Sequence, residues 1–357
     1  MRKTILYIKP VNSSFILTDQ LILEKEFLVR PFLVKQSYNK GKFLVRLIFL
    51  VFFILKNLHK ADALVCWFGD YHTAIMVFFA KIAGKKSMVF AGGQEAVYYP
   101  ELGKGVYRKK LRGFLVKYAL RNCTLILPNH PSLVYHKNYF YNPANPHIDG
   151  IRHYVKGIKT KFEVVPNGID TSRIDRNPEI KKEPGLVLTV GTMNHKGDFI
   201  NKGFDLFVEV ARKCPDLKFV LIGLNRQYLD WTEACYKVSE ISNLKIIPSF
   251  CPGETLMEYF NKATVYLQVS ITEGMPVSLG EAMLCECIPV GSNVNGIPDA
   301  IGNTGIVVTK RDVTSLEDAL RKALVMDTGK EAREYTLSNF SIAGREKKIL
   351  EVFRQYI

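Results

Sequence analysis

From Gly185 onward, short runs rich in β-branched residues alternate with amphipathic stretches, and this alternation constrains the fold more than any other feature of the chain. "GLVLTVG" (185–191) reads as a strand, "GFDLFVEVARKC" (203–214) as a helix with Phe204, Phe207, Val208 and Ala211 at helical spacing, and "LKFVLIG" (217–223) as a second strand. "NLKIIPS", a helix from Glu254, the strand "TVYLQVS" (264–270), a helix after Pro276, and the strands "CIPVGS" and "GIVVT" continue the series. Strands that alternate with helices predict a parallel sheet covered on both faces. The first half repeats the pattern with "TILYIKP", "ALVCWFG", "SMVFAGG", "TLILPNH" and "KFEVVPNG". The expected class is therefore α/β, with two Rossmann-like domains facing a central cleft. Residues 1–166 form the first and 185–335 the second; a polar linker, 167–184, joins them, and a helix over 336–357 packs back on the first domain. A chain of 357 residues is long enough for both cores.

Charge is unevenly divided. Residues 1–165 hold 26 Lys and Arg against 9 Asp and Glu, net +17, whereas 166–357 hold 23 against 25, net −2. Such asymmetry points to a basic face that meets something anionic, and it leaves an idle basic surface as the plain alternative. "FLVRLIFLVFFILKNL" (43–58) is the most membrane-like segment. It is too short and too interrupted by Arg46 to span a bilayer, so it reads as a core helix or one lying in the interface of an anionic leaflet. The N-terminal "MRKTILYIKP" carries no secretory pattern, and the seven scattered cysteines (66, 123, 214, 235, 251, 285 and 287) suggest neither disulfides nor a zinc site. A cytoplasmic protein is expected, peripheral on the inner face of the cell membrane.

The dinucleotide and P-loop glycine patterns are missing, as are a serine-hydrolase elbow, HExxH and a paired-aspartate metal motif. What the loops do offer is a place for phosphates and sugar hydroxyls. "ITEGMPVSLGEAM" (271–283) leaves a strand, turns at Gly274 and enters a helix near Pro276. The free N–H groups of Val277, Ser278 and Leu279 then form an anion site at a helix N-terminus. Glu281 lies one turn in, with two oxygens for a vicinal diol, and Glu273 lies on the loop side, placed for the hydroxyls of a second ring. Ser278 and Glu281 also have capping-box spacing, which offers Glu281 a purely structural role. Gly191 ends the first strand of this half, and Lys202 opens the next helix with an ammonium for a diphosphate.

The string "VVPNGID" (164–170), "VG…KGFDLFVEVA" (190–211), "LIG" (221–223) and "VSITEGMPVSLGEAMLCECIPVGSNVNGIPDAIGNTGIVV" (269–308) resembles, in order and spacing, the retaining glycosyltransferases of family 4, which have the GT-B fold. Glu273 and Glu281 occupy that family's Glu-x7-Glu motif. The resemblance implies that Glu281 binds the donor ribose, that Glu273 faces the transferred sugar as the catalytic carboxylate, and that Lys202, with Gly191 and the backbone of Gly274, Met275, Pro276, Val277, Ser278 and Leu279, holds the diphosphate. It implies no metal and no cofactor, the nucleotide diphosphate sugar being a substrate. Two departures stand out. Thr192 follows Gly191 where the family usually has an arginine, leaving Lys196 or His195 as stand-ins. "FAGGQEAVYYPELGKG" (90–105) takes the place of the family's N-domain histidine loop. Glu95 is the candidate there for contacting the acceptor hydroxyl or the transferred sugar, with Asn12, His72, Gly93 and Gln94 as further acceptor-side candidates.

The expected activity is transfer of a glycosyl unit to a saccharide, polyprenyl-linked saccharide or glycolipid, with no role for nucleic acid. A nucleotide-sugar epimerase or phosphorylase on the same architecture is one alternative. A non-catalytic protein gripping anions or membrane through its basic half is the other.

Overall fold

The computed structural model describes residues 2–37, 39–248 and 253–357. Two six-stranded parallel sheets dominate it. In the first, Thr4–Lys9 lies between Leu28–Leu33 and Ala63–Trp67, and Lys86–Ala91, Leu125–Pro128 and the short Lys161–Phe162 follow outward. In the second, Glu183–Val190 lies between Lys218–Leu224 and Ala263–Gln268, with Leu244–Pro248 on one edge and Ile288–Ser292 and Ile306–Val308 towards the other. Numbered within each domain, the strand orders are 2-1-3-4-5-6 and 3-2-1-4-5-6. Each order reverses beside its first strand, and crevices open at the carboxyl ends of strands at such switch points.

Helices Lys40–Asn57, Tyr71–Ile82 and Lys110–Asn122 cover one face of the first sheet, where Leu50, Ile54, Met76, Val77, Ala80 and Val116 are sealed from solvent. Helix Ser14–Glu24 and the C-terminal helix Ile342–Tyr356 cover the other face, against Tyr7, Trp67 and Phe90. Phe353 stacks on Phe90 with centroids 6.3 Å apart, and the buried Arg345 guanidinium forks onto Asp19 with two contacts of 2.7 Å. The chain crosses back to this helix through Phe340 and Ser341: the Ser341 hydroxyl caps the helix start, whereas Gly329–Asn339 is a separate helix packed on the second domain.

The stretch 167–184 is not a free linker. Ile174 is part of the second domain's core, Arg176 meets Glu286 at 3.1 Å, and Lys182 donates to the Cys285 carbonyl at 2.6 Å. Apolar and charged anchors on one side hold it to that domain, so the crossing narrows to Asn167–Ile169, beside the return crossing, where the Ile169 N–H donates to the Phe340 carbonyl at 2.7 Å. A hairpin that the sequence pattern does not predict, His136–Asn138 with His147–Asp149, carries Phe140 from the first domain into the core of the second. Ile271 makes the reverse insertion.

The helix expected at 43–58 runs over Lys40–Asn57, and Leu50, Ile54 and Asn57 are its only buried residues. Among the described cysteines all are free, Cys235 exposed and the others buried; Cys251 lies outside the described residues.

Candidate active site

The two switch points face each other across a cleft of about 950 Å³, within the range of ~300–1,000 Å³ usual for small-molecule sites. The C-terminal wall begins where Glu183–Val190 ends at Gly191 and Ala263–Gln268 runs into Val269. Gly203, φ +73°, opens helix Phe204–Lys213 so close to the Val269 carbonyl that a Cβ would lie 2.3 Å from its oxygen. This tight packing brings Lys202 into the cleft, where its ammonium is paired with the Glu273 carboxylate. Ser270 donates to the same carboxylate at 3.3 Å. Asn295, held at φ +48°, fixes the loop from below: its Oδ1 accepts the Glu273 N–H at 3.1 Å and the Thr272 hydroxyl at 3.2 Å.

Helix Val277–Leu284 starts one residue later than the sequence pattern suggests, with Pro276 as its N-cap. No side chain caps it: the Ser278 hydroxyl donates instead to Gln268 at 3.4 Å, so the capping-box role for Glu281 does not occur. Glu281 projects into the cleft beside Arg173. Burial pushes its carboxyl up to about 7; the Arg173 charge opposes this and Asp170 reinforces it. Gly191, Thr192, Lys202, Glu273, Gly274, Met275, Pro276, Val277, Ser278 and Glu281 all line the cleft. Leu279 does not, because its side chain is packed in the core of the second domain.

The N-terminal wall differs from expectation. None of Asn12, His72, Gly93, Gln94 and Glu95 lines the cleft; Ser14, Phe15, Trp67, Phe68, Gly92 and Asn129 do. His72 sits in the first turn of Tyr71–Ile82, a helix capped by Asp70; its ring turns beneath to the Trp67 carbonyl at 2.9 Å, and burial lowers its pKa. Glu95 is fully buried, accepts the Gly92 N–H at 2.7 Å and is pushed towards its neutral form by burial. Its contact with Gly92 organises the loop behind the cleft wall. Gln94 is exposed and is spent on the Gly105 N–H at 2.9 Å. Asn12 is exposed outside the cleft. The aromatic wall is built tightly. Phe68 has φ +63°, and its ring occupies the space that a Cβ at Gly92 would need, 2.2 Å away. Phe15 packs edge-on against Trp67 with centroids 5.0 Å apart.

Neither stand-in for the missing arginine enters the cleft: Lys196 lies over Trp231 at 5.4 Å, and His195 faces Asp198 at 3.5 Å. Arg173 stands in a polar stretch of the sequence that has no periodicity. Asn129 and Asn167 each end a strand run, "TLILPNH" and "KFEVVPNG", where a single amide gives no signal of its own. Asn167 donates to the Met275 carbonyl at 2.9 Å, and the buried Asn129 Oδ1 has no partner among the described residues. Across the rim, His130 contacts Asp299 at 2.7 Å and Lys104 contacts Asp198 at 2.5 Å, tying the two domains together. Among the described residues no group of three or more His, Cys, Asp and Glu side chains could hold a metal ion.

Residues 170–339 match the family described as glycosyl transferases group 1. A phosphatidylinositol N-acetylglucosaminyltransferase chain of Arabidopsis thaliana is 23% identical over 168 residues, 46% of this chain and 36% of the relative. The alpha-maltose-1-phosphate synthase of Mycolicibacterium smegmatis is 29% identical over 222 residues, 57% of this chain and 56% of the relative. The matches thus span only about a third to a little over half of the curated relatives' own lengths. The sucrose-phosphate synthase of Thermosynechococcus elongatus superposes with TM-score 0.75 at 14% identity, covering 99% of each chain. HepE of Anabaena, in complex with UDP and glucose, superposes with TM-score 0.71 at 13% identity, covering 99% of this chain and 100% of its own. With its cleft between two Rossmann-like domains, the chain has the GT-B fold, and residues 170–339 of its C-terminal half match the glycosyl transferases group 1.

Proposed function

We propose that this protein is a retaining glycosyltransferase of family 4, which moves a glycosyl unit from a nucleotide diphosphate sugar to a hydroxyl of a saccharide or lipid-linked saccharide during synthesis of a surface polysaccharide or glycolipid. The observation that carries the reading is one cleft holding Glu281, the N-terminus of helix Val277–Leu284, Lys202 and Glu273 in succession. The names of the curated relatives, which are sugar transferases and synthases, support it, as does the UDP and glucose in HepE.

In this reading the Glu281 carboxylate accepts the two ribose hydroxyls. The diphosphate lies over the N–H groups of the helix start, with the Lys202 and Arg173 charges on it. As the bond between the anomeric carbon and the diphosphate lengthens, negative charge grows on the departing phosphate, and these preorganised groups favour that state over the bound substrate. Glu273, fixed by Asn295 and Ser270, orients the transferred sugar through its hydroxyls without attacking it. The acceptor enters along the wall of Phe15, Phe68 and Asn129. Closure of the domains about the paired crossings excludes water and limits hydrolysis of the donor. The reaction, in this proposal, takes place at the cytoplasmic face of an anionic membrane and calls on no metal ion.

A thermal-shift panel of nucleotide sugars tests the proposal, because a ligand that binds only the native state raises its melting temperature. One nucleotide sugar should stabilise the protein, and turnover should survive EDTA. Glu281→Gln and Lys202→Ala should each weaken donor binding about tenfold or more, in keeping with the loss of a charged hydrogen bond. If both variants bind and turn over the donor like the wild type, the site assignment is wrong. An isomerised donor in the absence of acceptor would favour the epimerase instead.

A further inference from the structure

The three helices on one face of the N-terminal sheet present an unusual outer surface. Lys40–Asn57, Tyr71–Ile82 and Lys110–Asn122 contain four, one and four Lys or Arg respectively, and not one Asp or Glu. Large apolar side chains point outward from all three: Phe49, Phe52, Ile82 and Phe114 are each between 61% and 69% exposed, joined by Leu44 and Leu111. Contiguous apolar surface of this kind marks an interaction site. The helices are neighbours: Phe43 meets Tyr71 with centroids 6.1 Å apart, and Lys81 reaches Asn122 at 2.6 Å.

The opposite face of the same sheet is an internal comparison. There Lys25 pairs with Glu346 at 2.6 Å, Lys348 with Glu163 at 3.6 Å, and Arg354 with Glu26. Cations on that side are balanced by acids. On the three-helix side Arg112 pairs with Asp70 at 2.7 Å, but Arg46 and Lys56 meet no carboxylate among the described residues, and neither does Arg30 on the edge strand. These three cations rim a groove of about 690 Å³ between Leu28–Leu33 and Lys40–Asn57, floored by Phe32, Phe49 and Phe53. Among the described residues no helix is long and apolar enough to cross a membrane.

We propose that this three-helix face docks on an anionic bilayer. Phe49, Phe52, Ile82, Leu111 and Phe114 enter the headgroup boundary, and the groove takes one anionic lipid, its acyl chain over the phenylalanines and its phosphate between Arg30 and Lys56, with Arg46 adding its charge at the far end of the rim. Apolar burial with cations around it is the combination that an anionic interface rewards, and a neutral surface or a second copy of so basic a face does not supply it. All three helices begin at the carboxyl ends of parallel strands, the side on which the cleft opens. A lipid-borne acceptor would therefore surface at the cleft mouth. This last step rests on the proposed glycosyl transfer; the docking does not.

The test is co-sedimentation of the full chain with vesicles of phosphatidylglycerol mixed into phosphatidylcholine, and with phosphatidylcholine alone. Binding should need the anionic lipid and weaken with salt. Arg46→Gln and Lys56→Gln should each cost about fivefold in vesicle affinity, the weight of one cation near such a surface. Phe49→Ser with Phe114→Ser should abolish binding, while Lys347→Gln on the opposite face should change nothing. Donor-induced thermal shifts on every variant report folding separately. Equal binding to neutral vesicles overturns the proposal, as does undiminished binding by the Phe49→Ser, Phe114→Ser chain. Concentration-dependent dimerisation through these residues, with no vesicle binding, also overturns it. A protein that binds vesicles but stabilises with no nucleotide sugar would sink the glycosyl-transfer reading alone.

Discussion

Glu281 is a carboxyl that the fold holds in the cleft at a cost. Its carboxyl is raised from the ordinary 4.5 to about 7, first by burial. Because the folded value lies above the unfolded one, the stability this group permits is complete below about pH 4.5 and is lost as pH rises through about 7. A neutral isostere escapes the penalty. Glu281→Gln should therefore be more stable than the wild type at pH 8, by about 1–2 kcal/mol after allowance for partial exposure, with little difference at pH 4.5. Wild-type donor affinity should rise between pH 6 and 8 as the diol-accepting carboxylate forms, and the variant's should stay flat. Calorimetric melting and donor titration at several pH values check both; a pH-independent wild type would mean that Glu281 does not meet the donor as a carboxylate. Glu273 and Glu281 were legible in the sequence because one contiguous strand–turn–helix segment carries them. Asn295, which fixes Glu273, lies 22 residues away and signals itself only through a positive φ that a sequence does not display.

Among the elements, the C-terminal helix Ile342–Tyr356 does the most to unite the molecule. Its apolar positions Ile349, Val352 and Phe353 complete a core otherwise made by the first 165 residues. Arg345 reaches Asp19 with both groups almost fully buried, donates to the Val165 carbonyl at 3.0 Å, and shares Asp19 with the Trp67 indole at 3.1 Å. Removing one partner leaves the other charge buried, so Arg345→Met should cost about 3–5 kcal/mol, and adding Asp19→Leu should recover a large part of it. Urea unfolding of the single and double variants measures this; equal loss in both would mean that the ion pair itself is stabilising. Helix Lys40–Asn57 is the contrary case. Its composition admitted a core or an interfacial reading, because hydrophobicity alone does not say which side neighbouring elements leave uncovered.

At the scale of the whole molecule, the domains interlock. Phe140 fills the second core, Ile271 fills the first, and Asn138 joins the two by donating to the Ile271 carbonyl at 2.7 Å and to the Tyr99 hydroxyl at 3.0 Å. Glu273 lies only two residues beyond Ile271, so this interlock and the candidate catalytic loop are mechanically continuous. Phe140→Ala should cost about 3–5 kcal/mol, the usual range for emptying a buried aromatic site. It should also speed amide exchange at Ile271 and Glu273 relative to the outer strands. Exchange that accelerates uniformly would show that the contact serves stability and not the arrangement of the two domains.

The two parallel sheets are legible in the sequence, since alternating strand and helix periods leave few other ways to bury the apolar faces. The sequence also displays the segment that brings Glu273 and Glu281 to the cleft, because that segment is local to one strand end and one helix start. The opposing wall emerges from the fold, which places Phe15, Phe68 and Asn129 in the cleft and turns Glu95 and His72 away from it. Phe68, Glu95 and Asn129 lie in the loops after three different strands, and Phe15 and His72 in the first turns of two helices. Their convergence depends on strand order and on which face of each turn is packed, and these are settled by contacts between distant parts of the chain.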